Sequence, residues 1–249
     1  MSEVFLKLVP RPQEPAHPIG GPRHYPGDVT ARLAADAATI IAKYPQPRSA
    51  LLPLLHLVQS HDGYLAAAGV DFCARQLDLT DAEVAAVATF YSMYRRFPTG
   101  KYLVGVCTNT LCAIMGGDAI IEALQDHLGI SVGQTTNDGQ VTLEHVECNA
   151  ACDYAPVVMV NWHFFDNQTP CQARELVDQL CRGDVVTSSR GGPVCDFSTT
   201  ARCLAGLPER QPERSGGEPG AATLAGLKVA RELGMTARYP HTRQNRKGR

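Results

Sequence analysis

Apolar side chains recur at intervals of three and four from Val29 to about Tyr91, through "VTARLAADAATIIAKY", "RSALLPLLHLVQSHDG", "GVDFCARQL" and "TDAEVAAVATFYSMY". That period lines them along one stripe of a helix and predicts four short helices packed as a small bundle. Thr80 followed by Glu83 forms a capping box, which gives the fourth helix a defined start. Pro53 lies inside the second helix, where it marks either a kink or the first turn. At "FPTGKYLVGVC" the period changes: Pro98 and Gly100 end the helix, and Tyr102 to Val106 read as a short apolar strand ending at Cys107. A helix from about Ala113 to Leu128 follows, with Ile120, Ile121, Leu124 and Leu128 on its buried stripe and Asp118, Glu122 and Asp126 facing outward.

Two further strands, "VTLEHVEC" and "APVVMVN", lead through a hairpin to "HFFDN". A last helix, "TPCQARELVDQLCRG", takes Thr169 as its N-cap and Pro170 as its first position. The resulting β-α-β-β-α order predicts a right-handed crossover between parallel strands and an antiparallel edge, hence a small mixed sheet. The fold class is therefore α/β (α+β). Residues 1–28 carry six prolines and read as an extended arm, 29–97 as the helical bundle and 98–183 as the α/β domain. Residues 184–249 read as an extended tail interrupted by one short helix, "AATLAGLKVARELG".

Composition narrows the function classes. With 249 residues, 44% of them hydrophobic, the chain can bury a core. Its 23 basic and 25 acidic residues leave a formal charge of -2, which gives no global reason to expect nucleic acid as a partner. Residues 237–249 do concentrate Arg238, Arg243, Arg246, Lys247 and Arg249 without an acid; a solvated or partner-bound extension is the favoured reading there, over nucleic-acid binding. No run approaches the roughly 20 apolar residues of a membrane span, and "MSEVFLKLVPRPQEP" lacks the apolar stretch of a secretory signal. The expectation is an intracellular chain whose nine cysteines stay mostly reduced, open to metal binding, catalysis or burial.

Four of those cysteines form a pattern: "CTNTLC" holds Cys107 and Cys112, and "ECNAACDYAP" holds Cys148 and Cys152. C-x4-C and C-x3-C lie 35 residues apart, and each pair ends a predicted strand, so two neighbouring loops can bring four thiols to one sheet edge. Four thiolates suit tetrahedral zinc or an iron-sulfur cluster, with a redox dithiol and plain buried cysteines as further readings. Zinc knuckles mostly use tight C-x2-C turns, whereas these wider loops favour a centre of two irons. Thr108, Asn109 and Thr110, with the start of the following helix, would donate to sulfur in an anionic cluster. Met115, Gly116 and Gly117 leave little bulk nearby and would admit another backbone, such as a partner's.

These motifs, with "RSALLPLLHLVQ" and "EVAAVATFYSMY" before them, closely resemble the E-type subunit of bacterial NADH-quinone oxidoreductase, respiratory complex I. That family extends to the corresponding mitochondrial flavoprotein subunit and to gamma-type subunits of NAD-dependent formate dehydrogenases and hydrogenases. The resemblance spans about residues 29–182. It implies a thioredoxin-like domain holding one [2Fe-2S] cluster on Cys107, Cys112, Cys148 and Cys152. It also implies an electron-carrying subunit of an oxidoreductase, with FMN and NADH on a partner flavoprotein subunit and the large iron-sulfur subunit as a second partner. The location it implies is cytoplasmic, peripheral to the inner face of the plasma membrane, without direct insertion. A soluble formate dehydrogenase or hydrogenase module is the alternative within the family, and a zinc-stabilised scaffold the alternative of another class. One departure is plain: the commoner second motif has glycines around its last cysteine, whereas Asp153 here adds negative charge after Cys152.

The remaining candidates carry less. Cys73 sits among Phe72 and Leu77 and reads as a buried small hydrophobe. Cys171 and Cys181 flank the last helix and point apart, and Cys195 and Cys203 lie in the tail without a frame. The eight histidines show no H-x3-H or H-E-x2-H spacing. Neither G-x-G-x-x-G nor G-x4-G-K-[ST] is present, so the chain itself is not expected to bind a dinucleotide or nucleotide. Trp162 falls in the predicted hairpin turn, as a packed aromatic or a partner contact.

Overall fold

The computed structural model describes residues 19–207 and 218–235. The first part of the proline-rich arm and the basic cluster near the C-terminus lie outside the described residues. By internal contacts the chain divides into two units: residues 19–103, 135–142 and 195–207, and residues 104–134, 143–194 and 218–235.

The first unit is helical: α1 (Gly27–Ile41), α2 (Leu51–Asp62), α3 (Ala67–Leu77) and α4 (Asp81–Phe90). Its core gathers Leu33, Ala37 and Ile40 of α1 with Leu54, Leu55 and Val58 of α2, Phe72 and Cys73 of α3, and Val84 and Ala88 of α4. The Thr80–Glu83 capping box forms as the sequence predicts. Pro53 marks the first turn of α2, not a kink, because a 3-10 turn at Pro47–Ala50 leads directly into it. Buried Gln59 accepts the Arg95 amide at 2.7 Å and donates to the Met93 carbonyl at 3.1 Å, which ties the chain after α4 back onto α2.

One expectation fails in this unit. Where the sequence predicts an extended tail, Phe197–Leu204 form a helix, α8, that packs on α2. Asp196 caps it by accepting the Thr199 amide, and Phe197 and Ala201 are buried. Arg202 pairs with Asp36 of α1 at 2.9 Å. The segment is too short and polar to signal a helix by itself; the apolar surface of α2 supplies the stabilisation.

The second unit carries a four-stranded sheet in the order β2-β1-β3-β4, where β1 is Tyr102–Cys107, β2 Val141–Val146, β3 Val158–Val160 and β4 His163–Phe165. The Tyr102 amide meets the Gln140 carbonyl and the Thr108 amide the Val146 carbonyl, so β1 and β2 run parallel. β3 pairs antiparallel with β1 and with β4, Val104 facing Val160 and Val158 facing Phe165. The mixed sheet expected from the element order is therefore present. Asn161 and Trp162 turn the β3–β4 hairpin, both at positive φ, with Trp162 half-buried. α7 (Pro170–Arg182) begins with a Thr169–Gln172 capping box and buries Ala173, Leu176, Val177 and Leu180.

The helix expected from Ala113 to Leu128 is two helices, α5 (Thr110–Ile114) and α6 (Gly117–Leu128). Gly116 breaks them at φ +112, a conformation side-chain-bearing residues rarely adopt. On α6, Ile120, Ile121 and Leu124 are buried and Leu128 half-buried, and His127 meets Asp178 of α7 at 2.7 Å. A final helix, α9 (Ala221–Glu232), touches the 3-10 turn at Cys152–Tyr154. Among the described residues no helix is long and apolar enough to cross a membrane.

Candidate metal centre

β1 delivers Cys107 as its last residue. The Cys107 amide donates to the Val157 carbonyl at 3.1 Å, so the strand pairing sets the position of this cysteine. Cys112 lies in α5, which starts where Asn109 accepts the Thr110 amide. Both cysteines are only 2% exposed, and Ala155 packs beside them. Gly117, the first residue of α6, makes this packing possible. A Cβ there would stand 2.5 Å from the Cys107 carbonyl oxygen and 2.9 Å from that of Cys112. At Gly117 the closely approaching backbone is the chain's own, and Gly116 has open space around it.

Cys148 and Cys152 occupy the loop after β2, and both are exposed. Cys152 opens the turn Cys152–Tyr154, ahead of the Ala155-Pro156 peptide, which is cis. Within each pair one thiol acts on the other: Cys107 raises Cys112, and Cys148 raises Cys152. Cys107 also raises Cys152 through charge, and Cys152 raises Cys112, which links the pairs. Among the described residues, no three His, Cys, Asp or Glu side chains converge as a single ion would require.

The electrostatics follow from this crowding. Burial first, then the neighbouring Cys107 thiol, pushes the Cys112 thiol up to about 11. Cys152 is raised mainly by its hydrogen bond and charge interaction with Cys148. Cys112 and Cys152 therefore resist becoming thiolates, because a negative charge on either is opposed by its neighbouring thiol. Cationic metal among them reverses that balance, and its binding must release their protons. Thiolate donors of this kind suit zinc or iron-sulfur chemistry.

Amide donors reach the cysteine sulfurs from residues that the sequence does not single out. Thr108 Oγ1 engages His145 Nδ1 at 3.4 Å, and Asn109 spends its side chain on the α5 cap. The donors are the Ala150 amide, 3.3 Å from Cys148 Sγ, and the Val157 amide, which bonds Cys112. Ala150 sits at φ +51, which turns its N–H back toward the preceding cysteine. The apolar spelling of "AAC" and "APVV" hides both donors, since a backbone amide has no sequence signal of its own. Nor does Cys112 introduce the long helix α6, because it lies inside α5.

The other cysteines stand apart. Cys73 is fully buried in α3 and its thiol is pushed well up by that burial. Cys171 and Cys181 are exposed on α7, and Cys195 and Cys203 are half-buried about α8. Asp153, the negative charge noted after Cys152, has partners: Arg190 at 2.9 Å and the Thr223 hydroxyl at 2.6 Å.

A family model described as thioredoxin-like [2Fe-2S] ferredoxin matches residues 37–181. The E-type subunit of the NADH-quinone oxidoreductase of Mycobacterium tuberculosis is 63% identical over 236 residues, covering 94% of this chain and 94% of that protein. The corresponding protein of Rickettsia typhi, which bears the same name, is 39% identical over 146 residues, covering 57% of this chain and 86% of the relative. The mitochondrial NADH dehydrogenase [ubiquinone] flavoprotein 2 of Dictyostelium discoideum is 38% identical over 160 residues, 63% of this chain and 65% of its own length.

Proposed function

Because the chain belongs to the thioredoxin-like [2Fe-2S] ferredoxin family, we propose that it is the electron-carrying E-type subunit of an NADH-quinone oxidoreductase, with Cys107, Cys112, Cys148 and Cys152 as ligands of one [2Fe-2S] cluster. The observation that carries the assignment is the pairing of the thiols: a buried pair built on strand and helix stands beside an exposed pair on the facing loop, with Cys107 near Cys152. When bound, the cluster supplies one-electron exchange. The chain's own residues do the rest. Strand pairing at Val157 orients Cys107, Ala155 screens the buried pair from water, and the Val157 and Ala150 amides donate to Cys112 and Cys148.

The sequence contains no dinucleotide fingerprint, which supports placing NADH and FMN on a separate flavoprotein subunit. In this reading that flavoprotein and a large iron-sulfur subunit are its partners in the NADH-input module, at the cytoplasmic face of the plasma membrane. The 63% identity to a protein named as an oxidoreductase subunit across nearly the whole chain favours complex I over a soluble dehydrogenase module.

The deciding experiment is metal and sulfide analysis of the purified full-length chain, with EPR after reduction. The reading expects about two irons and two acid-labile sulfides per chain and a signal from the reduced protein. Colourless protein with stoichiometric zinc overturns it in favour of a scaffold. Co-purification with FMN-containing flavoprotein tests the assembly separately.

A further inference from the structure

Arg190 comes after α7, remote in sequence from both cysteine loops, yet its guanidinium closes on the residue following Cys152. Nη2 donates to Asp153 at 2.9 Å, while Nε and Nη2 hold the two oxygens of Asp166 at 3.1 to 3.2 Å. The cation lies 5.5 Å from the Phe164 ring centre and 6.0 Å from that of Tyr154. Its backbone is placed independently: the Ser189 amide donates to the Phe164 carbonyl, and Ser189 Oγ accepts the Asp166 amide. The other oxygen of Asp153 accepts from Thr223, in the first turn of α9. The Cys152–Tyr154 turn is exposed at its cysteine, so burial does not hold that side chain in place.

We propose that Arg190 is a positioning residue for the cluster, offsetting the Asp153 carboxylate and pinning the turn that presents Cys152. The inference rests on the proposed ligation by Cys152. A four-thiolate cluster is already anionic, and gaining an electron adds negative charge; an uncompensated carboxylate one residue from a ligand opposes that gain. Asp153, Asp166 and Arg190 together carry one net negative charge. Removing the cation doubles it, and neutralising Asp153 cancels it.

An EPR-monitored redox titration of the full-length, cluster-loaded protein tests this, together with the rate of cluster loss to a chelator. Arg190→Gln is expected to move the midpoint potential in the negative direction and to speed cluster loss about two- to fivefold, the range of one partly exposed ion pair. Asp153→Asn is expected to move the potential in the positive direction. The Arg190→Gln/Asp153→Asn double variant returns the potential toward the native value, and Arg190→Lys retains most of it. A native potential and line shape in Arg190→Gln, or a shift of the same sign in Arg190→Gln and Asp153→Asn, overturns the inference. If Arg190→Gln fails to fold, the sign of the Asp153→Asn shift still decides it. Absence of any iron-sulfur signal in the native chain overturns the ligation instead, which keeps the two failures distinct.

Discussion

The two cysteine pairs are built by different means. Cys107 and Cys112 are buried, set by the β1–β3 pairing and by Gly117 against their carbonyls. Cys148 and Cys152 are exposed and depend on local devices: the Ala150 amide, the short turn, and the Arg190–Asp153 ion pair. The difference teaches that one pair is fixed by burial in the fold while the other is exposed and held by local contacts. Such a division leaves one pair shielded from solvent and the other open to an incoming metal, whose binding must release thiol protons.

The largest test removes one thiol from each side. Cys107→Ala and Cys148→Ala are each expected to abolish the EPR signal. In the metal-free chain they should part company: Cys107→Ala costs about 1 kcal/mol in urea unfolding, and Cys148→Ala stays within about 0.5 kcal/mol. Equal costs would erase the contrast between buried and exposed pairs.

Acid titration asks whether the contrast is confined to the second unit. His56, buried on α2 against Tyr94, has its pKa lowered to about 4 by burial. As pH falls below about 6.5 the unfolded chain takes up the proton first, so stability is full above that value and declines toward pH 4, by about 3 kcal/mol in all. Thermal unfolding of His56→Gln from pH 7 to 4 should show a shallower decline than the native chain. At pH 7 its EPR line shape should be native.

A smaller effect is expected at the helix start beside the buried pair. Gly117→Ala places a methyl group against two backbone carbonyls, at a cost of about 1–3 kcal/mol by overpacking, with reduced iron content on reconstitution. The same change at Gly116 meets no neighbour but must adopt a positive φ, so it should cost about 1 kcal/mol and leave iron content nearly native. The smallest effect is a difference in order: brief alkylation of the metal-free chain, read by mass spectrometry, should modify Cys148 and Cys152 before Cys107 and Cys112. Cys171→Ser should change neither signal nor stability by more than about 0.5 kcal/mol.

Much of this fold is legible in the order of the residues. Helical spacing locates α1 to α4, capping pairs place the starts of α4 and α7, and the change of period at Pro98 and Gly100 marks the approach to β1. These features depend on neighbours three or four residues apart, which sequence displays directly. The split of α5 from α6 escapes such a reading because apolar periodicity continues across Gly116, and only its positive φ breaks the helix. α8 escapes it because its stability comes from α2, far away in the chain.

At the centre the same line holds. The sequence by itself determined which four cysteines are candidates, the spacing within each pair, and that each pair follows a strand, since these are properties of the chain read in order. Only the tertiary structure decided that one pair is buried and the other exposed, that the donors are the amides of Ala150 and Val157, and that Arg190 answers the charge of Asp153. Burial, amide direction and ion pairing between distant residues exist only once the chain has folded back on itself.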